Sequence, residues 1–248
     1  MDELRARAEA RGVDTHVLAE GEDAAELARS ADADSLGIAG GDGSLAPVAE
    51  VALERDLPFV CVPYGTRNHF ARDLELDRDD PLAALEAFFG VERRIDVGRA
   101  NGRVFLNNVA LGLYAKLVHR RERHVHSRDA LARARALLLL LRERGKEQEL
   151  LLEGGRLAAS VVLVANNAYE LDLFSVGERT RLDEGRLYLY VAHGWRPQTW
   201  EQRAGTRFTI ESETRLEAAS DGEPVELESP MCFSIERRAL RVLVPPSP

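Results

Sequence analysis

The sequence predicts an α/β layer followed by a mostly antiparallel β-sandwich, two domains with a cleft between them. Three observations carry this reading. Strand-like and helix-like segments alternate up to residue 97, a Gly-Gly-Asp-Gly-Ser run at 40–44 sits where a strand gives way to a helix, and beyond Asp96 short apolar runs between turn residues replace helical spacing. The boundary falls near 96–100, giving an α/β domain over 1–97 and a β-rich domain over 98–248.

Residues 2–11 and 23–31 are rich in Ala, Leu, Glu and Arg and predict helices, with a short strand candidate over 13–18 between them. Residues 35–39 read as a buried strand, and 46–55 as a helix whose apolar residues recur at helical spacing. A second strand over 57–62 leads through Pro63 and Gly65 to a helix opening near Asn68, so a parallel sheet is expected. Farther on, 103–107, 150–152, 158–164, 186–191, 206–211, 214–218, 231–235 and 240–244 read as short strands. A helix over 127–144 carries the leucine run 137–141 and is expected to be buried on most sides.

Composition narrows the function. The chain has 248 residues and a formal net charge of -9, which argues against a general nucleic-acid binder because phosphate neutralisation needs a surplus of Lys and Arg. Two lone cysteines, Cys61 and Cys232, make no disulfide framework, so a cytoplasmic setting is expected. With no apolar run long enough to span a bilayer, membrane contact is expected to be peripheral, at the inner face. The basic segment 119–128 is a candidate for docking on anionic headgroups. Its histidines lack the Cys or acidic partners that would complete a metal set.

Chemistry concentrates in the glycine loops. A strand ending in Gly40-Gly41-Asp42-Gly43-Ser44 with a helix behind it leaves backbone amides and a positive dipole end facing a phosphate, and the glycines remove side-chain bulk. Asp42 among those amides suits a metal-bound phosphate or a hydroxyl nucleophile. Pro63-Tyr64-Gly65-Thr66-Arg67-Asn68-His69-Phe70-Ala71 opens at the same sheet edge, where Thr66 and Asn68 are suited to nucleotide or to capping the next helix. His69 places a titratable imidazole beside these groups.

With those loops in hand, the chain resembles the diacylglycerol kinase catalytic-domain superfamily, which includes bacterial lipid kinases and sphingosine kinases; the α/β layer is then of the NAD kinase/diacylglycerol kinase-like kind. The segment 105–112 is similar to the family's entry into its β-rich domain, Asp183-Glu184-Gly185 to its acidic metal turn, and Asp221-Gly222-Glu223-Pro224 to its late Asp-Gly-Glu motif. The resemblance implies ATP and Mg²⁺, with phosphoryl transfer to a lipid hydroxyl such as that of diacylglycerol at a membrane surface. Gly40, Gly41, Asp42, Gly43, Ser44, Thr66 and Asn68 would hold nucleotide, Asp183 and Glu184 would hold metal, and Glu223 would be the base, with Asp42 as its catalytic partner. The family's first strand and Asn-Pro nucleotide loop have no counterpart before Leu4, which leaves a sheet edge open to pairing as a homodimer. It also keeps in view a non-catalytic nucleotide- or lipid-binding relative. An NAD kinase-like activity is disfavoured by the Gly-Thr-x-Asn-x-Phe-Ala segment.

Overall fold

The computed structural model describes residues 2–112, 148–172, 175–176, 178–192 and 200–246. The expected helix over 127–144 with its whole leucine run, like the basic segment 119–128, lies outside the described residues. The chain divides into two compact units: Met1–Val97 with Arg237–Pro248, and Gly98–Glu236.

In the first unit, β1 (Leu36–Gly40) and β2 (Phe59–Pro63) run parallel from Leu36↔Phe59 to Gly40↔Pro63, joined through α3 (Asp42–Glu54). Parallel neighbours need such a crossover, and the helix supplies it. The end of the last strand, β16 (Met231–Val244), lies on the other side of β2, pairing at Val242↔Phe59. Flanked on both edges, β2 is buried at every residue, which is why it reads as an unbroken apolar run. Along α3, Leu45, Val48, Ala49 and Ala52 form the buried stripe. Leu4 and Ala8 of α1 (Asp2–Glu9) pack with Val60, Val62, Leu85, Ala87 and Leu243 in a separate cluster. Leu85 and Ala87 belong to a 3₁₀ helix, Ala83–Phe89.

Two expectations change here. The segment 13–18 forms no strand; the Glu22 carboxylate accepts from the Ala19 N–H at 2.7 Å and meets His16 Nε2 at 2.9 Å, curling the chain locally, and Val17 and Leu18 stay exposed. The expected strands 231–235 and 240–244 are one strand, β16. The intervening Glu236-Arg237-Arg238 run hides its continuity, because Arg238 takes φ +49° and its N–H donates to fully buried Asp96 at 2.8 Å.

The second unit is a sandwich. One sheet runs in the order β12 (Trp200–Gly205), β11 (Leu187–Ala192), β8 (Val161–Asn166), β5 (Asn108–Gly112), β14 (Ala218–Ser220), β15 (Glu223–Val225), with every neighbour antiparallel. In the other, β13 (Arg207–Glu211) pairs with the start of β16 and with β6 (Gln148–Leu152), which pairs with β7 (Gly155–Ala159). Period-two alternation sends Val162 and Val164 into the shared core with Ile210 and Phe233, and Leu163 and Ala165 to a second cluster with Tyr190 on the outer face. Strand β3 (Val91–Ala100) turns into β4 (Arg103–Phe105), and a Cβ on Gly98 would lie 2.2 Å from the buried Phe105 ring. Helices α2 (Ala24–Ser30) and α4 (His69–Asp73) and the pair β9 (Leu171–Asp172) and β10 (Ser175–Val176) complete the described elements. Of the expected strand 214–218 only Ala218 is in one.

Cys61 and Cys232 are both free, the first buried and the second exposed. Among the described residues no helix is long and apolar enough to cross a membrane.

Candidate active site

The Gly-Gly-Asp-Gly-Ser run is divided between elements. Gly40 ends β1, Gly41 is the N-cap of α3 with no side-chain cap, and Asp42, Gly43 and Ser44 are the helix's first turn, so the helix begins at Asp42 rather than at 46. The Ser44 hydroxyl donates back to the Gly41 carbonyl at 2.8 Å and closes that turn. The Ser44 N–H donates to the Gly41 carbonyl at 3.0 Å; amides at a helix start otherwise lack an intrahelical acceptor, so this end of α3 presents N–H donors and a positive dipole end.

The second loop comes against the first. A Cβ on Gly65 would lie 2.4 Å from the Gly41 Cα, so only glycine lets the two backbones approach this closely. The Tyr64 N–H donates to the Gly40 carbonyl at 3.0 Å, extending the β1–β2 pairing into the loops. Asp42 locks them together: its two carboxylate oxygens accept from the His69 N–H at 3.0 Å and the Phe70 N–H at 2.8 Å, the first amides of α4 (His69–Asp73). Asn68 is buried in the left-handed region at φ +51°. Its Oδ1 accepts from the Gly65 N–H at 2.9 Å, and its Nδ2 donates to the Gly65 carbonyl at 3.1 Å and the Arg78 carbonyl at 3.3 Å. Thr66 is exposed at the loop tip. Asp42 and Asn68 thus build the loops, while Gly40, Gly41, Gly43 and Thr66 supply their open surface.

His69 is half-buried. Desolvation outweighs the attraction of Asp42 and holds its imidazole below the ordinary range, and its Nδ1 is buried with no partner among the described residues.

In the second unit, Asp221-Gly222 is a two-residue hairpin turn between β14 and β15, with φ +50° and +89° and the closing pair Ser220↔Glu223. Positive φ at both central positions is the type I′ turn for which Asp-Gly is suited. Glu223 is exposed as the first residue of edge strand β15. Asp221 is buried: its carboxylate accepts from the amides of Leu106 at 2.8 Å, Asn107 at 2.7 Å and Asn108 at 3.0 Å. Arg179, also buried, donates to the Leu106 carbonyl at 2.7 Å, the Asn166 carbonyl at 2.9 Å and Asn107 Oδ1 at 2.6 Å. Sequence reasoning passes over Arg179, because Glu178-Arg179-Thr180-Arg181 looks like a solvated charge run.

Burial pushes Asp221 from its ordinary 3.8 up to about 6, against the pull of the three amides and Arg179. As pH rises through that window the native chain keeps a proton that the unfolded chain has released. Asp221 therefore makes stability fall with rising pH, by up to about 1.4 kcal/mol per unit, and the effect levels off above the native value. Urea unfolding of the wild type and Asp221→Asn between about pH 4.5 and about pH 7 should show this slope in the wild type and its loss in the variant.

Asp183 and Glu184 lie half-buried in the turn before β11. Asp183 accepts from Arg181 at 2.9 Å; Glu184 accepts from the Tyr188 hydroxyl at 2.7 Å, which raises that phenol to about 12. Among the described residues no group of three His, Cys, Asp or Glu side chains is placed to hold a metal ion.

Residues 1–100 match the family model of the diacylglycerol kinase catalytic domain. This part of the chain is similar to that family's catalytic domain. The chain is 34% identical over 111 residues to a diacylglycerol kinase of Bacillus subtilis (strain 168), the match covering 42% of this chain and 37% of that one. It is 41% identical over 81 residues to a probable YegS-like lipid kinase of Pseudomonas aeruginosa, covering 32% of this chain and 26% of that one. The matches thus span little more than a third of the Bacillus enzyme's length and about a quarter of the Pseudomonas protein's. A crystal structure of a putative diacylglycerol kinase from Bacillus anthracis str. Sterne superposes with a TM-score of 0.73 over 98% of this chain and 90% of that one, at 19% identity. The fold is that of the diacylglycerol kinases: a mixed α/β N-terminal part and a separate antiparallel six-stranded sheet. Both glycine loops lie inside the family match, and the Glu223 hairpin lies outside it.

Proposed function

We propose that the chain is an ATP-dependent lipid kinase that transfers the γ-phosphoryl group to a hydroxyl of a lipid such as diacylglycerol at a membrane surface. The observation that carries the reading is the meeting of the two glycine loops at the N-terminus of a 13-residue helix, Gly65 against Gly41 and Asp42 bridging to α4, within the residues that match the kinase family. A surface of backbone amides without side chains fits the phosphates of ATP. The lipid hydroxyl oxygen forms a bond to the γ-phosphorus as the bond to the bridging β–γ oxygen breaks and ADP leaves. Glu223 accepts the hydroxyl proton and passes it to solvent.

The acidic turn does not fit a resident metal site, since Asp183 is held by Arg181, Glu184 by Tyr188, and among the described residues no third His, Cys, Asp or Glu completes a ligand set. No step is assigned to a metal there.

The test is a melting curve with and without ATP-Mg²⁺. A ligand at a hundredfold its Kd stabilises by about 2.7 kcal/mol, roughly 5–10 °C for a chain of this size. Asp42→Asn puts an amide NH₂ against the His69 or Phe70 N–H, and the rise should shrink by more than half. No rise at millimolar ATP would overturn the reading, and a rise without phosphate transfer to any lipid would mark a nucleotide-binding relative.

A further inference from the structure

We propose that Arg179 and Asp221, with Asn107, Asn166 and Asn167, form a buried hub that positions Glu223 for phosphoryl transfer; this rests on the reading of Glu223 as the base. Strands β14 and β15 are three residues each, and β15 is at the sheet edge. A hairpin that short is marginal by itself, so a side chain at its tip is placed only as well as something else holds the turn. Asp221 is that anchor. Its carboxylate gathers three successive amides of the turn between β4 and β5, and its own N–H donates to the Asn108 carbonyl at 2.9 Å, so the turn carrying Glu223 is bound from both its backbone and its side chain.

Arg179 locks the other side of the same turn. Through Leu106, Asn107 and Asn166 its guanidinium ties the turn to the end of β8, where the Asn166 Nδ2 also donates to the Leu106 carbonyl at 3.0 Å. Beyond it the Asn167 Nδ2 donates to Asn166 Oδ1 at 3.2 Å, and Asn167 Oδ1 accepts from the Glu184 N–H at 3.0 Å. The Asn107-Asn108, Asp183-Glu184-Gly185 and Asp221-Gly222-Glu223 segments therefore meet at one polar centre. A buried guanidinium and carboxylate are costly to desolvate, and apolar residues of similar volume would serve packing at least as well. What the polar set adds is direction, since each donor and acceptor admits one arrangement of the hairpin.

Arg179→Met and Arg179→Lys separate positioning from bulk stability. Hydrogen exchange, read well below the melting temperature, should accelerate by at least about tenfold over 216–227 and 104–110 while 187–192 keeps its protection. Unchanged exchange, or loss spread evenly over the second unit, overturns the proposal. In transfer from ATP to dioleoylglycerol in mixed micelles, kcat should fall about tenfold or more with the KM for ATP unchanged, and Arg179→Lys should add nothing to the loss caused by Glu223→Gln. Additive losses would show that Arg179 does not act through Glu223. If Arg179→Met fails to fold, Arg179→Lys carries both arms. Full activity in Glu223→Gln, or no transfer by the wild type, counts against the kinase reading, and the exchange experiment still decides the hub.

Discussion

Replacing Gly65 by alanine is expected to abolish the ATP-induced rise in melting temperature and to destabilise the chain by itself. The added methyl would lie 2.4 Å from the Gly41 Cα and 2.8 Å from Asn68 Oδ1. Backbone on one side and a buried, fully engaged amide on the other leave nothing flexible to yield, so the loops must part. Overpacking of this kind costs typically 1–3 kcal/mol, and here the displaced atoms are those that would face phosphate. Gly155→Ala is the control, because its nearest contact, the Leu152 carbonyl oxygen at 3.4 Å, is ordinary van der Waals distance. Differential scanning fluorimetry of both variants with and without ATP-Mg²⁺ checks the pair; a Gly65→Ala protein that responds to ATP like the wild type would remove the close approach of the loops from the binding argument.

Glu223→Gln should leave the fold intact and stop the chemistry. An exposed glutamate on an edge strand contributes within about 0.5 kcal/mol to stability when exchanged for its amide, so the melting temperature should move by no more than roughly 1–2 °C. A general base typically contributes about 10²–10⁴-fold, and kcat for phosphate transfer to dioleoylglycerol should fall by that factor with the KM for ATP unchanged. Radiolabelled ATP and extraction of the lipid phase measure it directly. Retention of more than about a tenth of the wild-type rate would place the base elsewhere.

Much of the α/β layer is legible in the sequence because its signals are local. Leu45, Val48, Ala49 and Ala52 recur at helical spacing, and β2 reads as a strand because both its edges are covered. Strand β3 escapes the same reading: its first four residues are exposed and its Glu92-Arg93-Arg94 run resembles a turn, with burial beginning only at Ile95. Segment 13–18 errs in the other direction, since strand-like composition does not supply a neighbouring strand. At the site, the glycines announce themselves by type and spacing. The roles of Asp42 and Asn68 as builders of the loops do not, because which acceptor meets which amide depends on contacts such as Asp42 to Phe70 that span the β-α-β unit. Arg179 is hidden most thoroughly, as an arginine earns a buried place only through acceptors distant in sequence: Leu106, Asn107 and Asn166.

The return of the last strand has a consequence for how the protein is made. Val242 pairs with Phe59, Leu243 packs in the cluster of Leu4, Val60 and Val62, and a side chain on Gly90 would strike the Val244 carbonyl at 1.9 Å. During synthesis the α/β layer leaves the ribosome long before the strand that covers β2, and until residues 237–244 emerge its central strand has a bare edge. A gene fragment ending at residue 100 would therefore yield a polypeptide prone to aggregate, although it contains the whole of the matched family segment. Co-expression of a peptide spanning 231–246 should recover soluble material from it.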